Sequence, residues 1–240
     1  MTSSSHSRVA PASLPEPERR GSPLSFNRAI RSFVEKRFFR NLISRTGNFS
    51  RTKWLGIHIR QNVMDLWTIQ ETIAELKPDV IVETGTLEGG SSLFYAHLFD
   101  LMGTAGKILT IDIQKQHNVS HPRVTYLVGS STDAGTIEQV RKFVAGAKTV
   151  LVILDSDHHR EHVKKELDLY AEFVTPGSYM LCQDGVMDVM PKLRYPDGDG
   201  PLPAIQDFVK EHPEFQVDHE RCERFILTHH PMGWLYRKPV

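Results

Sequence analysis

Short apolar runs alternate with amphipathic stretches over most of this chain. Five runs rich in Val, Ile and Leu have the length of buried strands, and helical stretches separate most of them. We predict strands at 79–84, 106–112, 124–128, 149–154 and 178–182. Strands that alternate with helices predict an α/β fold with an open, mostly parallel, doubly wound sheet.

The two ends of the chain differ from this central pattern. Residues 1–24 are rich in Ser and Pro and poor in large apolar residues, so we expect them to be disordered. The stretch 26–43 predicts an amphipathic helix that packs on its own domain or on a sister subunit rather than on a membrane. Its apolar face comprises Phe26, Ile30, Phe33, Val34 and Phe38. We therefore divide the chain into a disordered segment 1–24, a helix with its connecting segment 25–64, and an α/β domain 65–240.

Turn and cap residues complete the predicted elements. A helix is expected at 65–76 with its N-cap near Asp65, and another at 204–212. Short strands at 215–217, 224–228 and 234–237, with a tight turn before the last, predict a C-terminal antiparallel hairpin on the sheet. The Pro- and Gly-rich stretch 187–200 follows the fifth strand, and we expect it to form a wall or lid of a site.

Composition excludes several classes of function. The 240 residues carry 29 basic and 29 acidic side chains, so no net charge favours a nucleic acid partner. Two cysteines, Cys182 and Cys222, are too few for a disulfide framework or a thiolate metal site. No apolar run approaches the roughly 20 residues of a membrane span, and the N-terminus has no secretory apolar region. We expect a cytoplasmic protein without stable membrane insertion.

The turn after the first strand of the sheet has the order E-x-G-x-x-x-G-x-S, from Glu83 to Ser91. Glycines at such a turn let a ligand approach the bare backbone. The order matches neither the phosphate loop nor the dinucleotide-binding G-x-G-x-x-G. An acid beside the loop favours a ligand with a positive charge or with hydroxyl and amine donors, and S-adenosylmethionine has all of these. The alternative is an ordinary turn of an α/β protein.

Acidic residues end four of the five predicted strands. They are Glu83, Asp112, the pair Asp155 and Asp157, and Asp184. In an open parallel sheet the ligand binds outside the carboxyl ends of the strands, so these acids gather at the binding edge. Asp112 ends the second strand, where a carboxylate can accept hydrogen bonds from a ribose.

Three of these acids, Asp155, Asp157 and Asp184, can bind one divalent cation at adjacent strand ends. Carboxylate and amide oxygens suit Mg²⁺, which can hold a substrate hydroxyl and lower its pKa. The alternative is that the carboxylates cap the helix that follows Asp157.

The histidines allow two further readings. The run 158–162 fits H-x-x-E-H, a zinc peptidase signature, but it lies at a strand end rather than within a helix. His158, Asp157 and His162 can also be drawn into the facial triad of a non-haem iron oxygenase, a class usually built on β-barrels. We also predict His158 as the general base, since a histidine pKa lies near neutral. The alternative is that His158 caps the following helix or bonds to a carboxylate.

Motifs spread over residues 53–237 carry a resemblance to a known family. They are Asp65-Leu-Trp-x-x-Gln-Glu, Glu83-Thr-Gly-Thr, Gly89-Gly-Ser, Leu109-Thr-Ile-Asp112, Gly129-Ser-Ser-Thr-Asp, Leu154-Asp-Ser-Asp-His158, Gly177-Ser-Tyr, Gln183-Asp184, Gly200-Pro, Phe215-x-x-Asp218 and Pro231-Met-Gly-Trp-Leu. With them the chain resembles the cephalosporin hydroxylase and rhamnosyl O-methyltransferase family. The resemblance implies a Rossmann-like methyltransferase fold for the domain 65–240.

The resemblance also implies cofactors and residues. S-adenosylmethionine is expected with its methionine part near 83–86, its ribose at Asp112 and its adenine side near 130–132. The cofactor-binding residues are then Glu83, Thr84, Gly85, Thr86, Gly89, Ser91, Asp112, Ser130, Ser131 and Asp155. The implied Mg²⁺ ligands are Asp157, Gln183 and Asp184. The family usually has Glu-Asp where this chain has Gln183-Asp184, which removes one negative charge and predicts weaker Mg²⁺ binding.

The resulting hypothesis is a Mg²⁺-assisted O-methyltransferase that uses S-adenosylmethionine in natural-product biosynthesis. Its acceptor would be a small-molecule hydroxyl compound, a sugar or a glycosylated or lipid natural product, and we expect a homo-oligomer. One rival is an oxygenase, or the partner of an oxygenase, in antibiotic tailoring. The other is a cofactor-binding partner without chemistry of its own.

Overall fold

A seven-stranded sheet forms the centre of the molecule. The computed structural model describes residues 28–190 and 199–239. The strands of this sheet are β3 (Val80–Thr84), β4 (Lys107–Asp112), β5 (Val124–Val128), β6 (Val150–Leu154), β7 (Tyr179–Cys182), β8 (Phe215–Val217) and β9 (Trp234–Arg237). In space they follow the order β5-β4-β3-β6-β7-β9-β8, and β9 is antiparallel to both of its neighbours. A separate small hairpin joins β1 (Lys53–Trp54) to β2 (Ile57–His58).

Helices cover both faces of this sheet. The α-helices in the described part of the chain are α1 (Arg28–Thr46), α2 (Val63–Leu76), α3 (Gly90–Met102), α4 (Ala134–Val144), α5 (Arg160–Tyr170), α6 (Val186–Val189), α7 (Pro201–Glu211) and α8 (His219–Cys222). One core layer contains Ile69 and Phe99 from α2 and α3, and the other contains Val140, Leu167 and Phe208 from α4, α5 and α7. Because both faces are covered, β3, β6 and β7 are buried at every position, as their uninterrupted apolar runs predict.

The order of the strands brings the predicted acids together. β3 lies between β4 and β6, and β6 pairs with β7, all in parallel. The chain runs outward from β3 through β4 to β5 and then crosses back to β6 on the other side of β3, so the strand order reverses between β3 and β6. The carboxyl ends of β3, β4, β6 and β7 therefore form one edge, which is where ligands bind in doubly wound sheets. This confirms the predicted sheet.

The C-terminal hairpin is present but is built differently from the prediction. Its strands are β8 and β9, joined by a long segment that includes α8, and the predicted strand at 224–228 is wrong. Phe225, Ile226 and Leu227 form a short apolar run, but Ile226 has a φ of 68°. A β-branched residue in this region breaks an extended conformation, so the segment turns instead of pairing.

The start of α2 also differs from the prediction. Asn62, not Asp65, caps the helix by accepting a hydrogen bond from the Met64 amide. The buried Asp65 carboxylate instead accepts bonds from the Thr228 hydroxyl at 2.6 Å and from the His229 amide at 2.8 Å. An acid that the sequence suggested as a cap therefore ties the C-terminal segment to the start of α2.

The N-terminal helix α1 makes limited contact with the described part of its own chain. Phe33, Val34 and Phe38 are each more than half exposed, whereas Phe39 is buried. The predicted disordered segment 1–24, Phe26 and the stretch 191–198 of the predicted lid lie outside the described residues. Within the described ranges, the helices are too short or too polar to cross a membrane.

Candidate functional site

A cavity of about 600 Å³ opens at the carboxyl edge of the sheet. The turn after β3 forms its floor. Gly85 takes a φ of 91°, and a Cβ at this position would overlap the carbonyl oxygen of Asp155 on the neighbouring strand end. Two features therefore require glycine here: the left-handed backbone and the close approach of β6.

Most of the predicted site residues lie in the wall of this first cavity. They are Gly85, Thr86, Ser91, Asp112, Ser130, Ser131, Asp155, Asp157, His158 and Asp184. Glu83, Thr84, Gly89 and Gln183 lie behind the wall rather than in it. Gly89, with a φ of 79°, occupies the N-cap position of α3. The proximity brings these residues to one site, while their individual roles stay predictions.

Two acids, Glu83 and Asp112, hold the turn that follows β3 in place. Burial raises the pKa of Glu83 to about 7, although bonds to Ser91, Thr110 and Tyr95 oppose the shift. The Asp112 carboxylate accepts a 2.7 Å hydrogen bond from the Leu87 amide and lines the cavity. Asp112 therefore fixes the loop and still presents carboxylate lone pairs to a ligand.

Asp155, His158 and Asp184 come together on one side of the cavity. Their ligand atoms all lie within 4.8 Å of one another. The ring Nε2 of His158 is 2.7 Å from an oxygen of Asp184 and 3.8 Å from an oxygen of Asp155. Asp184 adopts a φ of 57°, which is uncommon for a residue other than glycine and is often found at functional sites.

These three groups shift one another's pKa values. Burial and the nearby Asp184 raise the pKa of Asp155 well above its usual range. Burial alone would raise the pKa of Asp184, but its bonds to His158 and His229 outweigh this and lower it. The group therefore holds its negative charge mainly on Asp184.

The pKa of His158 lies above the near-neutral value that the prediction assumed. Burial acts to lower the pKa, but the bond to Asp184 raises it to about 9. The ring is therefore protonated at neutral pH while it is paired with Asp184. Its predicted role as a base remains a prediction and requires that pair to open.

Two of the implied metal ligands, Asp157 and Gln183, form hydrogen bonds with other side chains. Asp157 is half exposed, and its carboxylate accepts bonds from the amide and the ring of His159. The Gln183 oxygen accepts a 2.6 Å hydrogen bond from Gln61, whose amide also donates to Asp155 at 2.9 Å. Gln61 thus links Gln183 to the Asp155 group, and the sequence reading missed it.

The zinc and iron alternatives lack the required grouping. The ring of His162 bonds to Ser131 and Ser156, away from His158, which bonds to Asp184. Among the described residues, one group of three side chains of metal-binding type is close enough to share an ion. It consists of Asp155, His158 and Asp184.

The donor set at this group fits Mg²⁺. Two carboxylates face each other, and the neutral Gln183 oxygen is held beside them through Gln61. Mg²⁺ prefers oxygen ligands and keeps several waters, so a few protein oxygens suffice. The protonated His158 ring lies between the two acids and supplies the positive charge there in this arrangement.

A matched pair of variants distinguishes the two ligand sets. We expect Asp155→Asn to weaken Mg²⁺ binding by about 10- to 100-fold or more, since an amide cannot ionise and so cannot supply the negative charge that Asp155 would carry opposite a bound cation. Asp157→Asn should leave Mg²⁺ affinity almost unchanged because its carboxylate bonds to His159. Calorimetric titration with Mg²⁺ measures both. The reverse ranking would support the set implied by the resemblance.

A second cavity of about 390 Å³ adjoins the first. The two share Phe49, Ser156, Asp157, His158 and Asp184. The remaining wall residues of the second cavity are Ile43, Val186, Met187 and His229. The sequence reading missed Phe49 and His229, since neither belongs to a strand end or to a spaced motif.

Comparison with known proteins places this site in context. The sequence profile of the family described as Rhamnosyl O-methyltransferase/CmcI matches residues 47–238. The chain is 32% identical over 218 residues to the rhamnosyl O-methyltransferase of Mycobacterium tuberculosis (strain H37Rv), covering 87% of this chain and 85% of that protein. It is also 32% identical to the protein of that name in Mycobacterium leprae, over 80% of this chain and 86% of that protein.

Solved structures share the fold. A CmcI structure with Mg and SAM superimposes with a TM-score of 0.63 at 18% identity, covering 79% of this chain and 78% of that chain. An apo structure of CmcI gives 0.61 at 19% identity, covering 80% and 78%. At this identity the likeness concerns the fold, and it confirms the predicted Rossmann-like methyltransferase architecture.

Proposed function

The chain belongs to the Rhamnosyl O-methyltransferase/CmcI family, and we propose that it methylates a hydroxyl group of a sugar-containing acceptor. It is an S-adenosylmethionine-dependent O-methyltransferase, and Mg²⁺ assists the reaction. The relatives named rhamnosyl O-methyltransferases support a rhamnosyl group or a similar sugar as the acceptor.

The junction of the two cavities carries this proposal. Asp184 and His158 belong to the walls of both. The wall of the first cavity includes Asp112 and the glycine loop, the turn from Gly85 to Ser91, as a binding site for the methyl donor requires. The second cavity adjoins the first at the group formed by Asp155, His158 and Asp184. Methyl transfer needs the acceptor oxygen in line with the sulfonium methyl group, so two binding sites that meet at one point supply the required positioning.

The first cavity is proposed to hold S-adenosylmethionine. Gly85 and Thr86 would face the methionine part, and Asp112 would accept hydrogen bonds from the ribose. Ser130 and Ser131 would lie beside the adenine. Glu83, buried beneath Ser91, would act by fixing the loop through its bonds to Ser91 and Thr110 rather than by direct contact.

The group at the junction is proposed to hold Mg²⁺ and the acceptor. Asp184 and Asp155 would supply carboxylate oxygens, with the Gln183 oxygen held beside them through Gln61. When bound, Mg²⁺ holds the acceptor hydroxyl and lowers its pKa. His158 is placed to receive the hydroxyl proton once its bond to Asp184 is broken and the ring has released its own proton to solvent.

The oxygenase alternative is not favoured, because the family and the curated relatives are methyltransferases. Two further predictions belong to this proposal. The exposed apolar residues Phe33, Val34 and Phe38 of α1 support a homo-oligomer, in which this face would be covered. A cytoplasmic location agrees with an S-adenosylmethionine-dependent reaction.

Calorimetric titration with S-adenosylmethionine, with and without Mg²⁺, tests the proposal directly. We expect micromolar binding to the unchanged protein and a measurable effect of Mg²⁺. Absence of S-adenosylmethionine binding under both conditions would rule out the proposed function.

Gln183→Glu should raise Mg²⁺ affinity because it restores a negative charge. Gln206→Glu on α7 serves as a matched control away from both cavities.

A further inference from the structure

The wall of the first cavity holds a charged pair that the proposed chemistry does not use, Arg60 and Glu88. Among the described residues that line this cavity, Arg60 is the one arginine or lysine, whereas five carry carboxyl groups. These five are Glu88, Asp112, Asp155, Asp157 and Asp184. His158 is also cationic, but it is paired with Asp184 at the junction. A ligand that carries a carboxylate is therefore repelled by most of the wall and attracted at Arg60.

Arg60 forms a bidentate ion pair with Glu88 of the glycine loop. Its Nε donates to Oε2 at 3.2 Å, and its Nη2 donates to Oε1 at 3.0 Å. These bonds lower the pKa of Glu88 and raise that of Arg60, so both groups stay charged. The Arg60 side chain is 39% exposed and the Glu88 side chain 33% exposed. An ion pair with this much exposure is weak, so a ligand can replace it at little cost.

The backbone on both sides of Arg60 is fixed. Ile59 is buried in the core, and the buried Gln61 donates hydrogen bonds to Asp155 and Gln183. Arg60 itself has a φ of 52°, a value that is uncommon for residues other than glycine and is often found at functional sites. The guanidinium group is therefore presented to the cavity from a rigid segment, and a change of partner requires movement of the side chain alone.

The position of the methyl group determines where the amino-acid arm of the donor lies. The sulfur of S-adenosylmethionine carries the methyl group, the ribose and the amino-acid arm. In the proposed site the methyl group points to the junction and the ribose to the end of β4. Residues 58–61 line the wall between the junction and the glycine loop, because Gln61 bonds to Asp155. Arg60 bonds to Glu88 at the other end, so an arm that leaves the junction along the loop passes this ion pair.

We infer that Arg60 binds the α-carboxylate of S-adenosylmethionine and that Glu88 accepts hydrogen bonds from its α-ammonium group. The two ligand groups are attached to the same carbon, so their opposite charges lie side by side and match those of the ion pair. On binding, the contact between Arg60 and Glu88 is exchanged for two contacts with the ligand. A guanidinium group can donate two parallel bonds to one carboxylate. The inference rests on the proposed function and assigns to it the residues that select the amino-acid end of the donor.

The test for Arg60 compares S-adenosylhomocysteine with its decarboxylated analogue, which lacks only the carboxylate. Calorimetric titration measures both affinities, so no methyl transfer is needed. We expect Arg60→Ala to weaken binding of S-adenosylhomocysteine about tenfold or more, in line with the loss of hydrogen bonds to a charged group. The affinity for the decarboxylated analogue should stay almost unchanged. Arg60→Lys keeps the charge but not the planar fork, and it should recover part of the loss.

The test for Glu88 uses the deaminated analogue of S-adenosylhomocysteine, which lacks only the ammonium group. Glu88→Gln keeps the shape of the side chain but removes its charge. We expect the preference for S-adenosylhomocysteine over the deaminated analogue to fall about fivefold or more, because a charged hydrogen-bond partner is lost. Release of Arg60 from its ion pair affects both ligands alike, so it cancels in this ratio. An unchanged ratio would overturn the assignment of Glu88.

Arg224→Ala is the matched control. Arg224 forms a similar bidentate ion pair with Glu71, with both distances 3.0 Å, and lies outside the walls of both cavities. We expect it to bind all three ligands as the unchanged protein does. If Arg60→Ala weakened binding of S-adenosylhomocysteine and of the decarboxylated analogue equally, its role would be merely structural and the inference would be overturned. An unchanged affinity of Arg60→Ala for S-adenosylhomocysteine would overturn it as well.

Methylthioadenosine, which lacks the whole amino-acid arm, separates this inference from the proposed function. We expect the unchanged protein to bind it more weakly than S-adenosylhomocysteine, and Arg60→Ala to bind it as the unchanged protein does. Equal affinity of the unchanged protein for the two ligands overturns the inference and leaves the proposed function intact. No binding of S-adenosylhomocysteine by the unchanged protein overturns both.

Discussion

Asp184→Asn is expected to lower methyl transfer by about 100-fold or more while leaving S-adenosylmethionine binding nearly unchanged. The Asp184 carboxylate holds the negative charge of the junction group and belongs to the walls of both cavities. A neutral amide of the same shape keeps the packing but removes the charge that holds a cation and orients His158 and His229. Steady-state kinetics and calorimetry with S-adenosylmethionine measure the two quantities separately.

The control for this variant is Asp168→Asn on α5. Asp168 is an exposed partner of Lys164, remote from the junction, and exposed ion pairs contribute about 1 kcal/mol or less. We expect full activity from it. Wild-type turnover in Asp184→Asn would exclude a metal site at the junction, and a parallel loss of S-adenosylmethionine binding would place Asp184 in the donor site instead.

Gly85→Ala is expected to cost about 4 kcal/mol of folding stability or more, and to abolish S-adenosylmethionine binding. The added Cβ would overlap the Asp155 carbonyl, so either the turn or the end of β6 has to move. Either movement displaces the floor of the first cavity. Thermal unfolding and calorimetric titration of the same samples measure both effects.

Gly177→Ala isolates the conformational part of this cost. Gly177 has a φ of 83°, close to the 91° of Gly85, but open space surrounds its Cβ position. The left-handed backbone alone should cost about 1–2 kcal/mol, equivalent to a Tm decrease of about 2–8 °C in a protein of this size. If the two variants had the same Tm, the close approach of Asp155 would have no energetic importance.

The sequence predicted the sheet well because its strands are buried on both faces. β3, β4, β6 and β7 each end within one residue of the prediction, since an apolar run followed by an acid marks both the strand and its carboxyl end. The edge where the acids gather follows from the parallel order alone.

The details of the site depended on geometry that residue patterns do not contain. Asp155 and Asp157 are two residues apart, and their types do not show which one faces Asp184. The backbone leaves β6 at Asp155 and turns towards α5, so Asp157 bonds to His159. The cation-binding set inferred from the strand ends included Asp155, whereas the set implied by the resemblance did not.

His229 was hidden for a different reason. It lies in an irregular segment whose position is fixed by Asp65, far away in the sequence. Asp65 itself was assigned as a helix cap, because a lone acid at the start of a helix usually has that role. No local pattern connects the two residues, so only the folded chain shows that they meet.

The walls of the second cavity come from segments that are far apart in the sequence. Phe49 precedes the main sheet, whereas His229 lies between its last two strands. On the ribosome, the glycine loop, Asp112 and Asp155 emerge well before His229, and contacts between such distant segments pay the greatest loop-closure entropy. A nascent chain can therefore complete the loop and the acids of its methyl-donor cavity before the segment around His229 closes the second cavity.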